Sequence, residues 1–184
     1  MNEVLKAIKS RRSIRSFNSE QIKQEELDLI IEAGIYAPSG HNTQPWHFTI
    51  IQNLDVIKHI NDVSKEVMAT IDIAWIRNAG LNPDYDITYK APTLIIVSGR
   101  KDALSGRTDC SAAIQNMLIA AESLNIGSVW LGFAAFCFKK EGEAEKIGIP
   151  EGYEPYYGVA LGYKLQDKQI TAPKRNYDVV NYIR

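Results

Sequence analysis

Two cysteines, three histidines and no long apolar run set the first limits on this 184-residue chain. Cys110 and Cys137 form no Cys-x-x-Cys pair and have no histidine ladder beside them, so neither a disulfide framework nor a zinc site is indicated. Both are expected as reduced, packed thiols. An excess of basic charge is also missing: 21 Lys and Arg stand against 22 Asp and Glu, for a formal net charge of -1. Nucleic-acid binders show a basic excess or stripe, so that class is set aside. The longest apolar stretches, Leu94-Ile95-Ile96-Val97 and Ser128 to Phe133, are far shorter than the roughly 20 residues that cross a bilayer. The segment Met1 to Lys6 lacks the apolar core of a secretory signal, and a cytoplasmic protein is expected.

What remains is ordinary globular composition, 45% hydrophobic and 23% charged. A chain of this length folds most naturally as one domain that buries roughly 70% of the surface its unfolded form exposes. Apolar periodicity predicts helices over 2–10 and 24–37, a helix over about 54–67, a strongly apolar helix over 108–125 and a short charged helix near 139–147. Strands are expected at Trp46 to Ile51, Thr93 to Val97, Ser128 to Phe133 and Tyr156 to Gly162. Residues 70–90 lack clean periodicity and read as an irregular or lid-like segment. The alternation predicts a mixed sheet covered by helices. A core over 1–162 is followed by a polar tail over 163–184, whose terminal Tyr177, Val179, Val180, Tyr182 and Ile183 require a partner surface.

Two segments concentrate polar chemistry. Arg11-Arg12-Ser13-Ile14-Arg15-Ser16-Phe17 carries three guanidinium groups where the first helix gives way to loop. Planar guanidinium forks grip phosphate, though a solvated basic surface explains the same composition. Ala37-Pro38-Ser39-Gly40-His41-Asn42-Thr43-Gln44-Pro45-Trp46 offers carboxamides and hydroxyls that suit the lactam edge of a planar heterocycle. His41 and His47 are proton-donor candidates or partners in local hydrogen bonds, and Trp46 and Trp130 are core aromatics or stacking surfaces. Asp109 with Thr108 is expected to cap the long helix, and Cys110 to pack beneath it. No triad, metal cluster or Rossmann glycine fingerprint occurs in the sequence.

These two segments, followed by Gly127-Ser128-Val129-Trp130-Leu131-Gly132 and a late Pro173-Lys174-Arg175, make the chain resemble the FMN-dependent nitroreductase family, in the family's own motif order. The resemblance implies an α+β sandwich with a mixed, mostly antiparallel sheet flanked by helices, and a homodimer with exchanged C-terminal arms and FMN at the interface. It assigns Arg11, Arg12, Ser13 and Arg15 to the phosphate, ribityl chain and pyrimidine edge. Pro38, Ser39, Gly40, Asn42 and Gln44 would approach the cofactor from the other subunit. Trp130, Leu131 and Gly132 would run along the isoalloxazine ring, with the backbone at Gly132 closest, and Lys174 and Arg175 would close on the phosphate. The implied reaction is ping-pong hydride transfer from NADH or NADPH through FMN to a nitroaromatic, quinone or similar acceptor, with no catalytic side chain and no metal. Alternatives are a flavin-binding or redox-sensing protein with little turnover, and another reductive reaction such as dehalogenation. The span from Lys65 to Ala91 leaves little room for the family's usual helical insertion, and Trp75, Tyr85 and Tyr89 are candidates for a partial lid.

Overall fold

Leu94-Ile95-Ile96-Val97 lies at the centre of the molecule, with all four side chains fully buried. Successive side chains of a strand point to opposite faces, so a continuous apolar run marks a strand covered on both sides. A computed structural model describes residues 1–165 and 170–184 of the chain. Its four-stranded sheet comprises β1 (Trp46–Ile51), β2 (Thr93–Arg100), β3 (Ile126–Leu131) and β4 (Tyr153–Tyr163), in the order β1-β2-β4-β3. All three pairings are antiparallel, with Ile51 opposite Leu94, Thr93 opposite Leu161 and Ile126 opposite Tyr163. The parallel component is an isolated bridge between Ser13 and Ser128.

The helices are α1 (Glu3–Ser10), α2 (Gln24–Ile35), α3 (Leu54–Ala69), α4 (Ala74–Leu81), α5 (Gly106–Ser123) and α6 (Glu143–Lys146). Leu94 and Ile96 face a cluster containing Ile57, Ile60 and Val63 of α3. Ile95 and Val97 face the other way, onto Leu27 and Ile30 of α2 and Ile114 and Met117 of α5. The apolar character of α5 is thereby explained, since it is wedged between the sheet and α2, and Asn116 donates a 3.0 Å hydrogen bond to the carbonyl of Ala33. No helix among the described residues is long and apolar enough to cross a membrane.

Two expectations change. Residues 70–90 contain the helix α4 rather than only irregular chain. Asp109 with Thr108 does not cap α5, because the helix begins earlier at Gly106 and Asp109 lies inside its first turn. The tail over 170–184 carries no regular secondary structure and is exposed throughout. The expected start of the tail at Tyr163 is the last residue of β4, and residues 166–169 of the expected tail lie outside the described residues.

Candidate functional site

The arginine segment is laid along the free edge of β3. Ile14 donates its N–H to the carbonyl of Ser128 at 2.9 Å, and Asn18 donates to Tyr163 at 2.9 Å, so both ends of the segment are stitched to the sheet. Sequence positions about 115 apart are thereby joined: Ser13 lies beside Ser128, and β3 leads directly to Trp130, Leu131 and Gly132. The first and third motifs share one region of the fold.

Within the arginine cluster the three guanidinium groups do different things. Arg12 donates through Nη1 to the carbonyls of Lys9 (2.8 Å) and Arg11 (2.7 Å), and through Nε to Ile170 (3.1 Å). The last carbonyls of a helix lack intrahelical partners, and Arg12 takes one from α1 while tying down the start of the tail. Arg15 lies over the ring of Tyr89, 5.7 Å from its centroid. Arg11 is half-buried at the C-cap of α1.

Beyond β3 opens a cleft of about 160 Å³ lined by Tyr85, Ile87, Tyr89, Trp130, Leu131, Gly132 and Phe133. A second cleft of about 360 Å³ adjoins it, lined by Arg15, Ser16, Asp84, Asp86 and Lys90 among others, and Tyr85 and Tyr89 belong to both. Gly132 has open space on its flank, since a Cβ placed there would meet nothing within 4 Å. A flat ring system can therefore approach the main chain at Gly132. Trp130 both packs and lines: its ring meets Tyr157 edge-on at 5.0 Å, and the residue also borders the cleft.

The tyrosine wall is held by its own polar contacts. Asn61 accepts the N–H of Ile87 at 2.9 Å, and Asp86 accepts both the N–H (2.8 Å) and the hydroxyl (2.6 Å) of Thr88. Tyr89 and Lys90 then adopt φ values of 55°, in the left-handed region that costs a non-glycine residue about 1 kcal/mol or more. Burial, reinforced by Tyr89, pushes the Tyr85 phenol up to about 12, so it stays a proton donor at neutral pH. Trp75 lines neither cleft and instead covers Phe133 at 5.7 Å between ring centroids.

The second motif forms a separate strained loop. His41, Asn42 and Gln44 have φ of 51°, 55° and 43°. Ser39 Oγ accepts the N–H of Gln44 at 3.0 Å, and Asn42 Oδ1 accepts from the Gln44 side chain at 3.1 Å. Pro38, Asn42 and Gln44 are exposed, Ser39 and Gly40 half-buried, and no residue of 38–44 lines either cleft. Lys174 and Arg175 likewise lie in the exposed tail. One chain thus assembles the first and third motifs and leaves the second and fourth facing outward.

His41 is exposed, and His47 is half-buried against Tyr153 at 5.3 Å. The third histidine, His59, pairs with Glu143 at 2.6 Å on the opposite helical layer. Burial pushes both Cys110 and Cys137 up to about 12, which makes them packing groups rather than nucleophiles. Sequence reasoning missed Ser105 and the true contacts of Asp109, whose carboxylate accepts from Ser105 Oγ at 2.7 Å and from the Gly40 N–H at 3.3 Å. Among the described residues, no group of His, Cys, Asp and Glu is arranged to hold a metal ion.

An antiparallel sheet between helical layers, with an arginine segment along one edge and an aromatic cleft at that strand's end, defines an α+β sandwich with a ligand cleft. The chain belongs to the nitroreductase family, whose model matches residues 8–163. A nitroreductase with bound FMN from Bacteroides fragilis superposes with a TM-score of 0.92 at 35% identity, covering 100% of both chains. Another with bound FMN, from Desulfitobacterium hafniense, gives 0.89 at 29% identity, again over 100% of both. A protein of Archaeoglobus fulgidus, provisionally named an NADH dehydrogenase/NAD(P)H nitroreductase, is 33% identical over 176 residues, 92% of this chain and 90% of that one.

Proposed function

We propose that the protein is a homodimeric, FMN-dependent oxidoreductase that passes a hydride equivalent from NADH or NADPH to a nitroaromatic, quinone or similar acceptor. The observation that carries this reading is the open flank of Gly132 at the end of β3, the strand whose edge carries the arginine segment, which would let a planar ring lie on the main chain with an anionic tail toward the arginines. The solved relatives from Bacteroides fragilis and Desulfitobacterium hafniense contain FMN, and a Bacillus subtilis FMN reductase [NAD(P)H] is 28% identical over 99% of this chain and 74% of its own length. When bound, FMN supplies the two-electron chemistry, as cofactors of this kind do.

The protein's part is binding, orientation and charge. Arg11 is the first-motif cation left to meet the phosphate, since Arg12 is engaged with backbone carbonyls; Lys174 and Arg175 would join it when the tail closes on a partner subunit. Ser13 would bind the ribityl chain, and Arg15 would place positive charge at the pyrimidine edge, where the reduced ring is negative. Trp130, Leu131 and Gly132 would support the ring from the main chain. Pro38, Ser39, Gly40, Asn42 and Gln44 face outward and would serve the cofactor of the second subunit. Exposed Tyr177, Val179, Val180, Tyr182 and Ile183 provide the apolar surface for that exchange. Donor and acceptor would use the same cleft in turn, which predicts ping-pong kinetics.

The test is an absorbance spectrum of the purified protein followed by anaerobic addition of NADH or NADPH. A flavin band that bleaches and returns with a nitroaromatic is the expected result. A band that does not bleach with either nucleotide supports a flavin-binding protein without turnover, and the absence of a flavin band on reconstitution with FMN overturns the reading.

A further inference from the structure

Asp109 is an ionisable side chain at 6% exposure, and among the described residues no salt bridge reaches it. Burying a charge without a partner is unfavourable unless hydrogen bonds replace the lost water. Its donors are the Ser105 hydroxyl at 2.7 Å and the N–H of Gly40, 3.3 Å from both carboxylate oxygens. Its place in the first turn of α5, at the positive end of the helix, adds stabilisation. None of this serves the hydrophobic core, where an apolar residue of similar size would do as well.

What the carboxylate does serve is the loop. Three residues of 38–44 hold left-handed backbone angles, and the bonds within the loop, from Gln44 to Ser39 and from Thr43 to Gly40, tie it only to itself. Pro45 anchors its far end by accepting the Arg100 N–H at 2.9 Å. The near end is anchored at Gly40, and the anchor is Asp109. The fit is close: a Cβ on Gly40 would lie 2.6 Å from Ser105 Oγ but 3.6 Å from Ser105 Cβ.

We infer that Asp109 is a positioning residue, which acts through the Gly40 N–H to hold Ser39, Asn42 and Gln44 in the conformation that meets FMN. This rests on the proposed FMN-dependent function. An oxygen acceptor, rather than the charge itself, is the feature that Gly40 needs.

Two independent readouts on the full-length protein test it: FMN affinity by fluorescence titration, and amide hydrogen exchange of residues 38–44 without FMN. Asp109→Ala should weaken FMN binding about 10-fold or more, because it leaves a half-buried N–H without its acceptor. Asp109→Asn, which keeps an oxygen for Gly40, should return to within about threefold of the parent. Gly40→Ala should weaken binding through its clash with Ser105 Oγ, and the Gly40→Ala/Ser105→Ala pair should recover most of the loss, a rescue that general destabilisation would not give. In exchange, the loop amides of Asp109→Ala and Gly40→Ala should open faster while those of β2 stay protected. Unchanged FMN affinity and unchanged loop exchange in Asp109→Ala, or no recovery in the double variant, would overturn the inference. If Asp109→Ala does not fold, Asp109→Leu, an apolar residue of similar size without an acceptor, decides between the same two outcomes when set against Asp109→Asn. A parent protein that fails to bind FMN sinks the cofactor reading alone, and loop exchange then still decides the role of Asp109.

Discussion

The guanidinium of Arg15 lies over the ring of Tyr89, a residue that holds a left-handed backbone angle. A cation over an aromatic face is worth about 0.5–1 kcal/mol at a partly exposed site. If Arg15 meets the pyrimidine edge of the cofactor, that energy converts into a two- to fivefold change in FMN affinity. Tyr89→Leu should show that loss and Tyr89→Phe should not, because the ring rather than the hydroxyl does the orienting. Equal affinities for the two variants would separate Tyr89 from Arg15 function.

Arg11 and Arg12 are adjacent in sequence but predict opposite phenotypes. Arg12 engages three backbone carbonyls across α1 and the tail, so Arg12→Ala should loosen the tail and speed its proteolysis. If Arg11 meets the phosphate as proposed, Arg11→Ala would remove a charge-assisted contact worth about 1.5–3 kcal/mol and should weaken FMN about 10- to 100-fold with the tail still protected. FMN titration and limited proteolysis of the two variants distinguish the roles.

These differences mark the limit of what the residues alone convey. β2 is legible because two-sided burial demands the apolar run Leu94 to Val97, and β1 because the β-branched and aromatic run Trp46 to Ile51 suits a half-buried edge strand. The helix α4 is not, because Ala74-Trp75-Ile76-Arg77-Asn78-Ala79-Gly80-Leu81 has no side-chain cap and includes Gly80. The glycine is there for tertiary reasons: a Cβ would lie 2.6 Å from the Ala69 nitrogen and 2.7 Å from the Lys65 carbonyl, so α3 and α4 cross too closely for any side chain. Asp109 reads as a cap with Thr108 for the same reason of scale. Capping chemistry is local, whereas its partner Gly40 is 69 residues away. The four motifs are readable in the chain, but that the first and third come together at adjoining clefts depends on the pairing of Ser13 with Ser128, 115 residues apart, while the second and fourth face outward.

Tyr85 gives a prediction in pH. Its phenol is pushed up to about 12, chiefly by burial, from an ordinary value of 10.0. The folded state therefore holds this proton more tightly than the unfolded chain. Its contribution to stability is complete below pH about 10 and is lost as pH rises from there to about 12. The thermal stability of the parent should fall over that alkaline window, and that of Tyr85→Phe should fall less. Activity of the parent should show no ionisation of Tyr85 between pH 6 and 9, where a phenol of this kind stays protonated.

Gly132 separates folding from function most sharply. Its φ of -67° and ψ of -33° suit any residue, so no backbone strain attends a side chain there. The space beside it is empty of protein atoms within 4 Å, so no packing clash attends one either. Replacing such a glycine by alanine restricts the unfolded chain and should raise stability by about 0.4–1 kcal/mol. The same methyl group projects where a planar cofactor would approach the main chain. Gly132→Ala should therefore leave the melting temperature of the cofactor-free protein equal or higher while weakening FMN binding, and Gly132→Val should weaken it further. Calorimetry without FMN, paired with FMN titration, checks both halves. A variant that melts higher and binds FMN as tightly as the parent would place the ring elsewhere than along Trp130 to Gly132.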